Sequence, residues 1–276
     1  MIITRAGGGL RVVSQVAHQE QCGLLAAAWG NEEFARMDAW DAVLTATACH
    51  DAGWREWEQH PDVGPDGMPR GFTDMDIDEH VAIHRASAAA AGSHGDRVEL
   101  LVGMHVAGLV MRRLGIDGEA AALATRPEAA RDLVTERAQA ARRLRTRLGE
   151  GADLAAWAWS AYRVLQAIDL LSLYLTWRGL ASAEEWTLRR VPRCTGDEQG
   201  IDLVVRPAPG RGEGDTGPDH SACSCVVEPW PFSAPEVDAP VASRVIDDRP
   251  YRDADDLGQA LEASPPTILR MTVRRH

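Results

Sequence analysis

The sequence predicts a mainly α protein: a helical bundle over residues 1–180, opened by a short N-terminal β hairpin, with a small β-rich extension over 181–276 packed on it. Three observations carry that expectation. Helix-capping and helix-stopping residues recur from Ser14 onward, the stretch Asp153 to Trp177 is nearly continuous in apolar side chains, and after Gly179 the chain turns to short β-branched runs separated by turn residues.

In chain order, Ile2-Ile-Thr and Leu10-Arg-Val-Val flank Gly7-Gly-Gly9 and read as the hairpin. Ser14 is placed to cap a first helix running to Trp29 and ending at Gly30. A second helix spans about Asp38 to Asp51 and is stopped by Gly53. From Glu58 to Asp74 the chain is dense in Pro and Gly, as in His60-Pro-Asp-Val-Gly-Pro-Asp-Gly, and forms a loop fit to wall a pocket. Asp76 caps a third helix through Ala91. Asp96 with Glu99 reads as a capping box for a fourth that closes at Gly115. Pro127 opens a fifth helix, to about Leu148, with Arg-rich solvated faces. The sixth, Asp153 to Trp177, is apolar enough to be central. Strands follow at Trp186–Val191, Ile201–Val205 and Cys225–Val227, a mobile loop over 207–222, and a short helix near Asp253 to Glu262.

A chain of 276 residues with 45% hydrophobic content can bury a substantial core. Its 29 basic residues, all Arg, stand against 41 acidic ones for a net charge of −12, which argues against general binding to nucleic acid or an anionic membrane. The cysteines are odd in number, five, with no scaffold spacing and no signal peptide before them, so a reduced, cytoplasmic protein is expected. Cys223-Ser-Cys225 has no second pair to complete a metal site. The longest apolar run, Val164 to Leu175, is interrupted by Gln166 and Asp169 and is not a membrane span.

The chemistry concentrates at His50-Asp51, two strong metal ligands side by side near a helix end. His18, His105 and Asp169 lie on other helices that could bring them to the doublet. His105 sits in Leu100-Leu-Val-Gly-Met-His-Val-Ala-Gly, where a bare imidazole would cost roughly a few kcal/mol of desolvation. A hydrogen bond or a metal must compensate it. Asp169 lies among Val164-Leu-Gln-Ala-Ile-Asp-Leu-Leu, and buried carboxylates are rare unless paired or metal-bound; Arg163 is badly spaced to pair within the same helix. His80 and His84 share one face of the third helix. His84 is the ligand candidate, and His80 lines the pocket with Trp54 and Arg85. His60, His94, His220 and His276 fall in loops or at the end of the chain. Imidazole with carboxylate suits iron, manganese, zinc and related ions such as cobalt, over magnesium or calcium.

The ordered series His18, His50-Asp51, His84, His105, Asp169 resembles the ligand pattern of the HD-domain metalloenzyme superfamily, built on a bundle of about five helices. More narrowly, His50-Asp-Ala-Gly-Trp-Arg-Glu-Trp57, Ile168-Asp-Leu-Leu-Ser-Leu-Tyr174 and Glu228-Pro-Trp-Pro-Phe232 resemble a bacterial branch of unknown function, over nearly the whole length. The resemblance implies a first metal on His18, His50, Asp51 and Asp169, with Asp51 bridging to a second metal on His84 and His105. It also implies either oxidation of a small polar substrate by dioxygen at a di-iron centre, or hydrolysis of a small phosphoester or nucleotide. The aromatic residues Trp54, Trp57 and Phe72 near the doublet favour the former. For the latter, Arg55, Arg70 and Arg85 are the cations nearest the ligands. Asp51, His84 and Arg55 are the catalytic candidates. A non-catalytic metal-binding protein is the third class, and the Ala-rich helix faces are compatible with a homodimer.

Overall fold

The computed structural model describes residues 1–113, 123–177, 184–208 and 222–276. The end of the fourth helix at Gly115, the loop expected over 207–222 and His220 therefore lie wholly or mostly outside the described residues.

About half of the chain is helical and 21% is strand, and the strands form an eight-stranded, curled, mixed sheet. This corrects the expectation of a mainly α bundle carrying a small β subdomain. The hairpin β1 (Ile2–Ala6) and β2 (Gly9–Val13) does not merely lead into the bundle; β2 pairs with β7 (Val241–Asp247), Leu10 opposite Ile246. From that edge the order is β1, β2, β7, β8 (Thr267–Arg275), β5 (Ala222–Glu228), β4 (Ile201–Pro207) and β3 (Trp186–Val191), with β6 (Glu236–Asp238) also on β8. Among the described residues only the β5 to β8 pairing is parallel. Strand β8 buries Leu269, Met271 and Val273, exposes Arg270 and Arg274 and leaves Thr272 half-buried, the period of two that a one-sided sheet requires.

The helices are α1 (Gln15–Ala28), α2 (Trp40–Cys49), α3 (Trp54–Gln59), α4 (Ile77–Ala91), α5 (Asp96–Arg113), α6 (Glu128–Leu148), α7 (Ala152–Thr176) and α8 (Ala254–Ala263). Ser14 Oγ accepts from the Ala17 amide at 2.9 Å, and Asp76 caps α4, its carboxylate accepting from the Glu79 amide while the Glu79 carboxylate accepts from the Asp76 amide. Asp96, where a capping box is expected, is the first residue of α5, and its carboxylate takes Arg147 at 2.6 Å. Short α3, just past the doublet, was not expected.

Helix α7 is central, as its apolar run demands. It packs on α1, α2 and α5 on one side and on β3 and β5 on the other, so one core joins Leu101, Ile168 and Tyr174 to Leu203 and Val227. No helix among the described residues is long and apolar enough to cross a membrane. Gly53 sets the doublet against α4: a Cβ there would lie 2.1 Å from the Ile83 carbonyl oxygen, and its amide donates to Ser87 Oγ at 3.0 Å.

Candidate metal centre

His18, His50, Asp51, His84, His105 and Asp169 come together as buried side chains from α1, the turn after α2, α4, α5 and α7. All but His50 line one cavity of about 300 Å³. Trp54, Phe72, Leu109 and Leu173 make its apolar wall, with Gln15, Thr73, His80 and Arg112 as further polar lining.

Asp169 is the hub. Its Oδ1 lies 3.0 Å from His18 Nε2 and 3.7 Å from His50 Nε2, and its Oδ2 lies 3.8 Å from His105 Nε2. His50 Nε2 is also 3.6 Å from Asp51 Oδ2. The last three separations exceed hydrogen-bond length. His50 Nε2 and both ring nitrogens of His105 have no hydrogen-bond partner among the described residues, although buried. Buried polar atoms are costly unless satisfied, and a cation between these nitrogens and the two carboxylates would satisfy them.

Two of the imidazoles are oriented from behind. His50 Nδ1 donates to the Thr47 carbonyl at 2.9 Å, which turns Nε2 to the carboxylates. For His18 a relay does the same. The Gln21 amide nitrogen donates to the Ala239 carbonyl at 2.6 Å, so its oxygen faces Ser172, whose hydroxyl donates to it at 2.6 Å. The Ser172 oxygen is then the acceptor for His18 Nδ1–H at 2.7 Å, leaving Nε2 turned to Asp169. Gln19 Oε1 accepts the Asp51 amide at 2.9 Å and fixes the backbone of the doublet.

The titrations follow from burial and these neighbours. Burial opposes ionisation of Asp169, but His18, His50 and His105 outweigh it and hold the carboxyl well below its usual range. Burial also works against a charge on His50, yet Asp51 and Asp169 pull its pKa up to about 9. At His105 burial dominates over Asp169 and the pKa falls to about 3. Burial raises Asp51 above its ordinary value although His50 and His18 oppose it. Without a cation, a proton on His50 partly balances two buried acids.

The donor atoms of His18, Cys22, His50 and Asp169 all lie within 4.8 Å of one another, the compact part of the cluster. Cys22, one turn after His18, was not expected there. Burial, reinforced by Asp169, pushes its thiol well above the ordinary range, and its Sγ lies 3.7 Å from His18 Nε2. His84 stacks on His80 with ring centroids 4.2 Å apart, so both α4 histidines face the cavity, His80 also touching Trp54.

Three expected cations do not reach the site. Arg85 follows His84 by one residue, a turn of about 100° on a helix, and pairs with Glu136 at 2.9 Å. Arg55 follows buried Trp54 in the same way and is exposed, and Arg70 is engaged by Asp62 and Glu79. Arg112 takes their place, two turns along α5 from His105 on the same face. That spacing, like the one-turn steps from His18 to Gln21 and Cys22 and from Asp169 to Ser172, was the available signal for the residues missed.

Fold and site together define a helix-and-sheet protein with a buried histidine–aspartate centre open to a cavity. Residues 1–248 match the family described as Protein of unknown function (DUF3891), and the chain belongs to that family. No match was found among curated proteins or among solved structures.

Proposed function

We propose that the chain is a metal-dependent enzyme of the HD type that oxidises a small polar substrate with dioxygen at a binuclear centre, iron being the first choice of metal over manganese, cobalt or zinc. One observation carries the reading: His50 Nε2 and the His105 nitrogens are buried and hydrogen-bonded to nothing among the described residues while they face Asp51 and Asp169. Such a donor set fits mid-row divalent ions. His18, His50, Asp51 and Asp169 would hold the first ion, and Asp51, His84 and His105 the second. Bound iron would supply the redox chemistry.

The chain's own part is to position and to exclude water. Trp54, Phe72, Leu109 and Leu173 give an apolar wall suited to an apolar gas and to a substrate largely stripped of water. Arg112 offers the substrate a fixed positive charge, and His80, against Trp54, offers a second polar contact. A reducing compartment such as the cytoplasm suits the free thiols of Cys22, Cys49, Cys194 and Cys225.

Hydrolysis of a small phosphoester is the second reading, and Arg112 in the cavity wall favours it. Elemental analysis with assays in air and under argon separates the two. About two irons per chain with turnover that needs dioxygen supports oxidation. Phosphoester cleavage with manganese or cobalt under argon would replace it with hydrolysis, and a protein that takes up no metal would sink both.

A further inference from the structure

A second cavity, of about 370 Å³, opens between α5, α7 and β3, lined by Arg112, Arg163, Arg189 and Arg190 with Gln166, Leu170 and Leu188 among its other walls. Four arginines lining one space are unexpected in a chain of net charge −12. Among the described residues none of the four is ion-paired to a carboxylate. The acceptors of Arg163 and Arg190 are neutral: Arg163 donates to Gln166 Oε1 at 2.9 Å and to the Arg189 carbonyl, and Arg190 donates to the Glu198 carbonyl at 2.8 Å. The nearby acid Asp202 spends an oxygen on the Arg190 backbone amide at 2.8 Å.

The backbone is shaped to assemble this cluster. Strand β3 shifts register between Leu188 and Val191, and Arg190 sits at a φ of 55°, so Arg189 and Arg190 are both exposed where the alternation of a regular strand would bury one. A Cβ on Gly200 would lie 2.5 Å from the Arg190 carbonyl group, so glycine is needed for that close approach. A non-glycine residue in the left-handed region is strained and marks a conformation that the surroundings impose. Arg163 is half-buried, and burial together with the repulsion of Arg190 and Arg112 lowers its pKa.

We propose that this arginine cavity binds a phosphate-like dianion. Guanidinium forks match its oxygens in pairs, and two negative charges would relieve the repulsion among four cations. Arg112 lines both this cavity and the histidine–aspartate cavity, so the two lie side by side with that guanidinium-bearing residue between them. The substrate class that follows is a small organic molecule with a phosphate-like end anchored by the arginines and its reacting end toward Asp51 and His84. That last step rests on the metal-centre reading; the anion site does not.

Inorganic phosphate is the probe, titrated by calorimetry into the full chain in the presence of a chelator, so that no bound metal can hold it. One saturable site per chain is expected, weakened about tenfold or more by Arg163→Gln and by the paired change Arg189→Gln, Arg190→Gln, as loss of charge-assisted hydrogen bonds requires. The double variant alters exposed side chains only, so it remains informative if Arg163→Gln fails to fold. Arg274→Gln, far off on β8 and paired with Glu236, should bind phosphate like the unaltered chain. Asp169→Asn should also retain phosphate, which keeps this result separate from failure of the metal reading. Absence of saturable binding would overturn the proposal. So would arginine variants that bind as tightly as Arg274→Gln, or binding lost only in Asp169→Asn.

Discussion

His18 and His50 are held from behind, whereas His105 is not. The first two have Nδ1 committed, to Ser172 at 2.7 Å and to the Thr47 carbonyl at 2.9 Å, so Nε2 of each is aimed before any ion arrives. His105 has neither nitrogen hydrogen-bonded among the described residues and is kept in place by packing within the apolar face of α5. Of the two proposed ion positions, the one on His18, His50, Asp51 and Asp169 is thus preorganised and the one that uses His105 is adaptable. Preorganised ligands bind more tightly because less order has to be created on binding.

The largest break in that comparison comes at Asp169, a proposed ligand of the first position whose other oxygen faces His105 of the second. Asp169→Asn removes the charge that faces His18, His50 and His105, at 3.0, 3.7 and 3.8 Å. Metal content should fall to background at both positions in elemental analysis, an effect larger than the roughly 10–100-fold typical of outer-shell changes. Retention of one ion per chain would show that Asp169 does not join the sides.

Next in size is the relay behind His18. Ser172→Ala leaves His18 Nδ1 and Gln21 Oε1 without the hydroxyl between them and should weaken the first ion by about 10–100-fold, with Ser172→Thr restoring most of it. Competition against a chelator of known affinity measures this. The second position should be unchanged, since His105 does not touch the relay; equal loss at both would mean the two sides are not held separately.

Acidity separates the sides by a smaller factor. His50 is raised from 6.5 to about 9, so in the metal-free protein its proton contributes stability that is full below pH 6.5 and lost as pH rises through 9. A cation competes with that proton, so affinity at the first position should rise with pH, by up to about tenfold per unit, and level off near 9. His105, lowered to about 3, is already neutral and adds no such slope at the second position. Proton release into weak buffer on metal addition at pH 7.5 checks this; release of none would contradict the charged state of His50.

The sequence made the members of the buried cluster legible because they break a pattern: Asp169 and His105 are polar residues inside apolar helices, and adjacent His50-Asp51 marks a turn. The caps at Ser14 and Asp76 were legible for the same local reason. What was not legible is pairing between distant strands. Nothing near Leu10 announces that it lies opposite Ile246, and β8, despite alternating Leu269, Met271 and Val273 with polar residues, follows a long segment without chemistry. So a sheet built from both ends of the chain read as a hairpin and a small appendage. Nor does a helix reveal which side of it each arginine takes until its neighbours are placed, and Arg112 was passed over for Arg85.

The smallest expected effect tests that exchange. Arg85 and Glu136 form a pair at 2.9 Å with both side chains about two-fifths exposed, and such surface pairs contribute about 0–1 kcal/mol. Arg85→Gln should therefore shift the melting temperature little, and leave metal content and substrate affinity unchanged. Arg112→Gln removes a charge from the cavity wall and should raise KM without lowering metal content, because none of the six proposed ligands is ion-paired to it. If instead Arg85→Gln raised KM and Arg112→Gln did not, the substrate would lie toward α6 and not toward the arginine cavity, and Arg112 would be a surface residue that merely borders the site.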